Sequence, residues 1–157
     1  MSRVFVTGLG FICSIGNDEQ SVVDHLRELK HGMELFPPLQ VPESPVKLAA
    51  PVKDFDLESF DPEDWTYPKE YRLRREMLRS FSPHVMYAYC SMKQAIEQAG
   101  LEESDVSNPE TGLYTASAGS SRFLYQSIDK MYKRGIMRCN PLNIVSSVAG
   151  TVSFNLV

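Results

Sequence analysis

The sequence predicts an α/β protein, and three observations carry that reading. The chain opens on a β-branched and aromatic run, Val4-Phe5-Val6-Thr7, which leads into Gly8, Gly10 and Gly16 and then a helical pattern. A second strand-like run, Leu113 to Ala116, ends in a tract of small residues. Between them, Ser82 to Gly100 reads as a helix with apolar residues on one broad face and small ones on the other. That pattern suits a helix covered on more than one side, as in the middle of a layered fold.

Taken in order, Val4 to Thr7 is expected to be a buried strand, with Gly8 and Gly10 turning the backbone tightly. Asn17, with Gln20 three residues on, is expected to cap a first helix over about Asp18 to His31. Val22, Val23, Leu26 and Leu29 would form its apolar stripe, and Gly32 would end it. A proline-rich excursion at about 33–80 comes next. It lacks a helical period, and seven of the ten prolines fall between 33 and 68. So long a loop is unusual inside a compact domain, so it is read as wrapping the surface or reaching a partner subunit. Phe55, Phe60, Trp65 and Tyr67 would anchor it. Within it a short strand is expected around Val46 to Val52, and Asp54-Phe-Asp-Leu as a turn into short helical pieces.

Ser82-Pro83 is a helix start, serine at the cap and proline at the first position. Val85, Met86, Tyr89, Met92, Ile96 and Ala99 share one face of this helix. Ala88, Cys90, Ser91 and Ala95 narrow the other, and Gly100 stops the helix with Leu101 packing back over it. The tract after Leu113–Ala116, including Ser117, Gly119 and Ser120, permits close backbone approach to a ligand or a neighbouring element. A helix over about Ser121 to Arg134 carries Phe123, Leu124, Ile128 and Met131 and closes at Gly135. Asn140-Pro141 opens a last helix with Ile144, Val145, Val148 and Ala149 on its face. The apolar run Thr151 to Val157 follows.

Composition excludes several classes. At 157 residues the chain is one domain or part of a larger one. A net charge of −4 points to no nucleic-acid partner. The basic run Arg72, Arg74, Arg75, Arg79 is diluted by Glu70 and Glu76 and suits a solvated or interface helix. Nothing approaches the ~20 apolar residues that cross a bilayer, and the N-terminus lacks a signal-peptide pattern. Cys13, Cys90 and Cys139 are too few and too dispersed for a disulfide framework or a metal cluster. Reduced thiols in the cytoplasm are the simplest reading. A nucleotide site on Gly8-x-Gly10-x-x-Cys13 is disfavoured. The third small residue is missing, the helix starts well past the turn, and no acidic strand end follows about 20 residues on.

Four segments then stand in a recognisable order: RVFVTGLGFICSIGN, SMKQAIEQAGL, TGLYTASAGSS and NPLNIVSSVAGTVSFNLV. Together they resemble the N-terminal part of a β-ketoacyl-acyl-carrier-protein synthase, a condensing enzyme of the thiolase superfamily. The resemblance covers nearly all of 1–157 and is weakest over about 33–80. It implies the N-terminal half of a thiolase-like fold, incomplete α/β/α layers cut before the nucleophilic motif. It also implies a decarboxylative Claisen condensation in fatty-acid or polyketide elongation. A cysteine thiolate takes the acyl chain, and two histidines help decarboxylate a malonyl thioester.

The resemblance places that cysteine, in a Thr/Ser-Ala-Cys motif, and both histidines beyond Val157. No catalytic residue, cofactor or metal is therefore expected in this chain. Cys13, Cys90 and Cys139 are expected to be small core hydrophobes, and no base–nucleophile pair is expected from His25, His31 and His84. The chain would supply acyl-pocket wall and dimer surface, with Gly119 at a gating position and Cys139 lining the pocket from the segment Met137 to Pro141. The implied partners are acyl carrier protein and a second subunit, in a homodimer or a heterodimer with a related synthase. The strip Val145 to Val157 would be apolar and exposed in the chain alone. Arg75-Glu-Met-Leu-Arg-Ser80 lacks the aspartate of the related Arg-x-Met-Asp-Arg run, so that run's salt bridge is not carried over. Two alternatives stay open: a non-catalytic partner resembling a chain-length factor, and an inactive fold fragment.

Overall fold

A computed structural model describes residues 3–157, so the first two residues of the expected 1–157 span lie outside the described residues. The chain forms two compact units: the described residues to Asp54 with Cys90–Gly100, and Phe55–Tyr89 with Leu101–Val157. One helix, α3 (Pro83–Ala99), contributes its first turns to the second unit and the rest to the first.

In the first unit, the expected strand at Val4 to Thr7 forms no ladder, and Val4, Phe5 and Val6 are 94%, 73% and 78% exposed. A strand needs a neighbour for its amides, and the only sheet among the described residues pairs two other segments. These are β1 (Glu34–Leu35) and β2 (Leu48–Ala49), antiparallel with Glu34 opposite Ala49. β2 is what remains of the strand expected around Val46 to Val52. The opening segment is instead held by α3. Leu9 N–H donates to Gln98 Oε1 at 2.5 Å and Phe11 N–H to Gln94 Oε1 at 2.8 Å. The Gln94 amide also donates to Asn17 O at 2.6 Å. Two glutamines one helical turn apart thus bond backbone that a neighbouring strand would otherwise pair.

Glycine is required where the opening turn meets α3. A Cβ on Gly8 would lie 2.1 Å from Ala95 O, and one on Gly10 1.8 Å from Ser91 O. The small residues of α3 therefore receive the opening turn, as its packing reading expects, and the space a phosphate would need is filled by helix backbone.

Asp18, rather than Asn17, caps α1 (Glu19–Arg27). Its carboxylate accepts the Ser21 N–H at 2.8 Å and the Ser21 hydroxyl at 2.7 Å, and these bonds hold its pKa below the ordinary 3.8. Asn17 donates to Lys53 O at 2.8 Å, and Gln20 to Asp24 at 2.6 Å, so no capping box forms between them. α1 ends four residues short of His31, where Leu29 takes a left-handed φ of 56°. With the last turn lost, Leu26 and Leu29 stay exposed and Val22 alone of the expected stripe is buried.

In the second unit, the later part of the excursion is ordered by apolar anchors. Leu57, Trp65, Tyr71, Leu78 and Phe81 are buried. The Trp65 indole N–H donates to Ser59 O at 2.8 Å. Asp56 and Thr66 bridge through backbone bonds of 2.8 and 3.0 Å. Phe55 meets Tyr87 edge-on at 5.4 Å, and Phe60 meets Phe123 edge-on at 6.4 Å with Arg122 stacked 4.8 Å from its ring. A 3₁₀ turn, Pro62–Asp64, presents Glu63 to Arg75, the first residue of α2 (Arg75–Leu78).

α3 matches its expected bounds, and no residue from Phe81 to Ile96 is exposed. Gly100 ends it with φ 65°, and Leu101 stays 42% exposed instead of packing back. A short helix that the sequence pattern did not suggest, α4 (Glu103–Val106), is closed by a reciprocal Glu102–Asp105 capping box. The strand expected at Leu113 to Ala116 is again unpaired, with Tyr114 97% exposed. α5 (Ser121–Arg134) runs as expected, and Gly135 closes it with φ 83°. The last expected helix is two: α6 (Leu142–Ser147) and α7 (Thr151–Leu156), separated where Val148 turns extended.

His84 makes the first turn of α3 sensitive to pH. Its ring lies 3.0 Å from the hydroxyl of the fully buried Ser82, and burial holds its pKa below the ordinary 6.5. The folded chain then binds the proton more weakly than the unfolded one. Stability is whole above about pH 6.5 and is lost as pH falls toward the folded value. His84→Gln is expected to shrink the difference in urea midpoint between about pH 7.5 and pH 5. Equal pH dependence in the two chains would contradict this.

Candidate functional site

The small-residue tract sits on the break between α6 and α7. Gly119 has φ 78°, and a Cβ there would lie 2.5 Å from Ser147 O. Gly119 N–H donates to Ser117 Oγ at 3.0 Å, and Ser120 N–H to Ser147 O at 2.8 Å. The tract therefore takes up the last carbonyl of α6, one of the groups a helix end leaves unpaired. Position 119 has no room for a side chain in this arrangement.

Cys139 follows the 3₁₀ turn Ile136–Arg138 and is half-buried against α5, with Sγ 3.5 Å from Ser127 O. The structure thus places Gly119 on the α6–α7 junction and Cys139 against the middle of α5, at separate places in the second unit. Cys90 is fully buried, as expected of a core hydrophobe. Cys13 is only partly buried and turns its thiol toward Gly16 O at 3.3 Å, a turn residue more than a core one. The Ser82–His84 contact is a hydroxyl–imidazole pair that the histidine pattern did not suggest. Ser82 is inaccessible at the start of α3, so the pair has no substrate to reach.

Sequence reasoning missed a cationic groove in the second unit. A cavity of about 560 Å³ is lined by Phe60, Asp61, Lys130, Lys133, Arg134 and Asn140 among others. An adjoining cavity of about 360 Å³ shares Asp61, Pro62 and Asn140 and adds Arg75 and Arg79. Lys130, Arg134 and Arg138 alone line a further recess of about 470 Å³. Lys133 is paired to Asp129 at 2.9 Å and Arg75 to Glu63. Lys130 and Arg134 stand four apart on α5, and Arg138 of the following 3₁₀ turn joins them, a cluster of like charge that suits an anionic ligand. That spacing was the available signal.

Behind the break, α7 holds polar side chains in hydrogen bonds beside the buried Val152 and leaves Phe154 exposed. Thr151 is buried, and Asn155 donates to Thr151 O at 2.8 Å. The Ser80 hydroxyl donates to Asn155 Oδ1 at 2.5 Å, and the Thr115 and Ser153 hydroxyls meet at 2.5 Å. Ile144, Val148, Phe154 and Val157 are exposed, while Val152 is buried. The strip expected to be open is open on one side only.

A fold with these glycine-packed segments, this small-residue tract and this broken C-terminal helix matches a known class. The family model described as the N-terminal domain of β-ketoacyl synthase matches residues 1–156, and the chain belongs to that family. The 3-oxoacyl-[acyl-carrier-protein] synthase 1 of Haemophilus influenzae is 32% identical over 155 residues, 98% of this chain and 35% of that protein. The synthase of the same name from Escherichia coli is 32% identical over 156 residues, with the same shares of each chain. The chain therefore spans about a third of the length of these relatives. Among solved structures, a β-ketoacyl synthase from Burkholderia phymatum superposes with a TM-score of 0.77 at 22% identity. That match covers 99% of this chain and 36% of the other. The ishigamide ketosynthase/chain length factor superposes with a TM-score of 0.65 at 21% identity, covering 94% and 34%. The fold is the N-terminal part of the thiolase-like synthase fold. No helix among the described residues is long and apolar enough to cross a membrane.

Proposed function

We propose that the whole protein is a β-ketoacyl-acyl-carrier-protein synthase working in fatty-acid or polyketide elongation, to which this chain contributes acyl-pocket wall and dimer surface. The observation that carries the reading is the family match over residues 1–156, supported by 32% identity to synthases of that name. In the proposed reaction a cysteine thiolate beyond Val157 displaces the carrier thiol from an acyl thioester. Malonyl thioester then loses carbon dioxide, and the resulting carbanion attacks the enzyme-bound acyl carbon and expels the cysteine thiolate.

Within this chain, Gly119 would bring bare backbone to the acyl channel, and Cys139 would line the pocket. The subunits would pair through the α6–α7 region. The cationic groove of Lys130, Arg134 and Arg138 would meet the carrier protein, and the protein would work in the cytoplasm with its thiols reduced.

The test is the reading frame past Val157 and the activity of its product. A Thr/Ser-Ala-Cys motif is expected soon after Val157. The full-length product should condense malonyl and acyl carrier thioesters, and should lose activity when that cysteine becomes alanine. The 157-residue chain alone should neither condense nor decarboxylate. A continuation without the cysteine would overturn the synthase reading in favour of a chain-length-factor-like partner. Turnover by the short chain would overturn the division of labour.

A further inference from the structure

We infer that the acidic 3₁₀ strap at 61–64 is a built-in competitor for the cationic groove, occupying part of its charge until an acidic partner displaces it. The inference rests on the carrier-protein reading of that groove given above. Asp61 and Pro62 line both the cavity of about 560 Å³ that holds Lys130, Lys133 and Arg134 and the adjoining one of about 360 Å³ that holds Arg75 and Arg79. A carboxylate therefore stands on the partition between two sets of cations. Glu63, two residues on, takes one of them, its carboxylate meeting Arg75 Nε at 2.5 Å. That hydrogen bond and the Glu63 charge, with a further contribution from Asp61, hold the Arg75 guanidinium above its ordinary pKa. Across the groove, Lys130, Arg134 and Arg138 have no ion pair among the described residues.

The strap is fixed in place. Asp61 caps its own turn by accepting the Glu63 N–H at 3.1 Å, and Asp64 accepts the Ser59 hydroxyl at 2.9 Å. Phe60, edge-on to the buried Phe123, and the buried Trp65 anchor its two ends. Its charges are thus presented at set positions beside the cations.

The energetics favour exchange over blockage. The Arg75 and Glu63 side chains are 66% and 40% exposed, and an ion pair that open to water is weak and screened by salt. A partner's carboxylates can replace Glu63 at Arg75, but they approach against the field of Asp61. The strap therefore slows encounter and selects for partners with enough negative charge to compete.

The test uses the full-length protein and a purified acyl carrier protein, with association rates measured at about 50 and 200 mM salt. Asp61→Asn removes the charge but keeps a capping side chain, and Glu63→Gln removes the ion pair on Arg75. Each is expected to raise the association rate about two- to fourfold at the lower salt, and the gain should shrink at the higher. Glu43→Gln makes the same change of net charge at a residue that lines neither cavity, and should gain less. Lys130→Glu combined with Arg134→Glu should slow association about tenfold or more. Should Asp61→Asn fail to fold, Glu63→Gln carries the comparison. Strap variants no faster than the parent, while the Lys130→Glu, Arg134→Glu protein slows, overturn the inference alone. So does an equal gain from Glu43→Gln, or a gain that salt leaves unchanged. A Lys130→Glu, Arg134→Glu protein as fast as the parent overturns the carrier-protein reading of the groove and this inference with it.

Discussion

Replacing Gly10 by alanine is expected to cost about 3 kcal/mol or more. The added Cβ would lie 1.8 Å from Ser91 O and 3.1 Å from Gln94 Cβ, and α3 backbone cannot yield there as a flexible side chain could. The strain would also disturb the Gln94 amide that holds Phe11 N–H and Asn17 O. Gly100→Ala is the control. Its Cβ meets nothing within 4 Å, so only the left-handed backbone at φ 65° is penalised, by about 1 kcal/mol. Urea denaturation of the three chains should rank them parent, Gly100→Ala, Gly10→Ala. A Gly10→Ala midpoint equal to the parent's would refute the close packing of the opening turn on α3.

Trp65→Ala is expected to lower stability by about 3–5 kcal/mol, the range for emptying a large aromatic site. Trp65 is 6% exposed, although it lies between a single 3₁₀ turn and an isolated bridge at Thr66, outside any longer helix or sheet. Trp65→Phe should recover most of the loss. It would still leave Ser59 O without the indole donor, at about 1 kcal/mol. Trp65 is also the chain's single tryptophan, so its emission in the parent should be blue-shifted and should move red in one step with unfolding. Red-shifted emission from the folded parent would mean that the excursion is not pinned.

The elements most legible in the sequence were those with punctuation at both ends. Ser82-Pro83 and Gly100 bracket α3, and Gly135 closes α5, because caps and left-handed residues act within a few positions. Asn17 was misread for a related reason. Two capping residues stand side by side, and Asp18 wins because its carboxylate takes both Ser21 donors. The two strand-like runs have the right residues. Pairing, however, is a tertiary event that composition cannot supply.

Of the candidate site, Gly119 was legible as a place for close approach, and the structure identifies its neighbour as the end of α6. Gln94 and Gln98 were invisible as ladder surrogates, since on a helix map they are merely polar. The groove escaped because one wall, at Phe60 to Pro62, comes from the excursion, far along the chain from the other wall on α5 and the turn at Asn140.

The unpaired runs at Val4–Thr7 and Leu113–Ala116 have a practical consequence. Each is a short, exposed run rich in β-forming residues, with little charge and no ladder among the described residues, a template on which another chain can add as a strand. Handled by itself at high concentration, this polypeptide carries its own route to edge-to-edge aggregation, and a lysine or proline gatekeeper near Phe5 or Tyr114 is the rational place to block it.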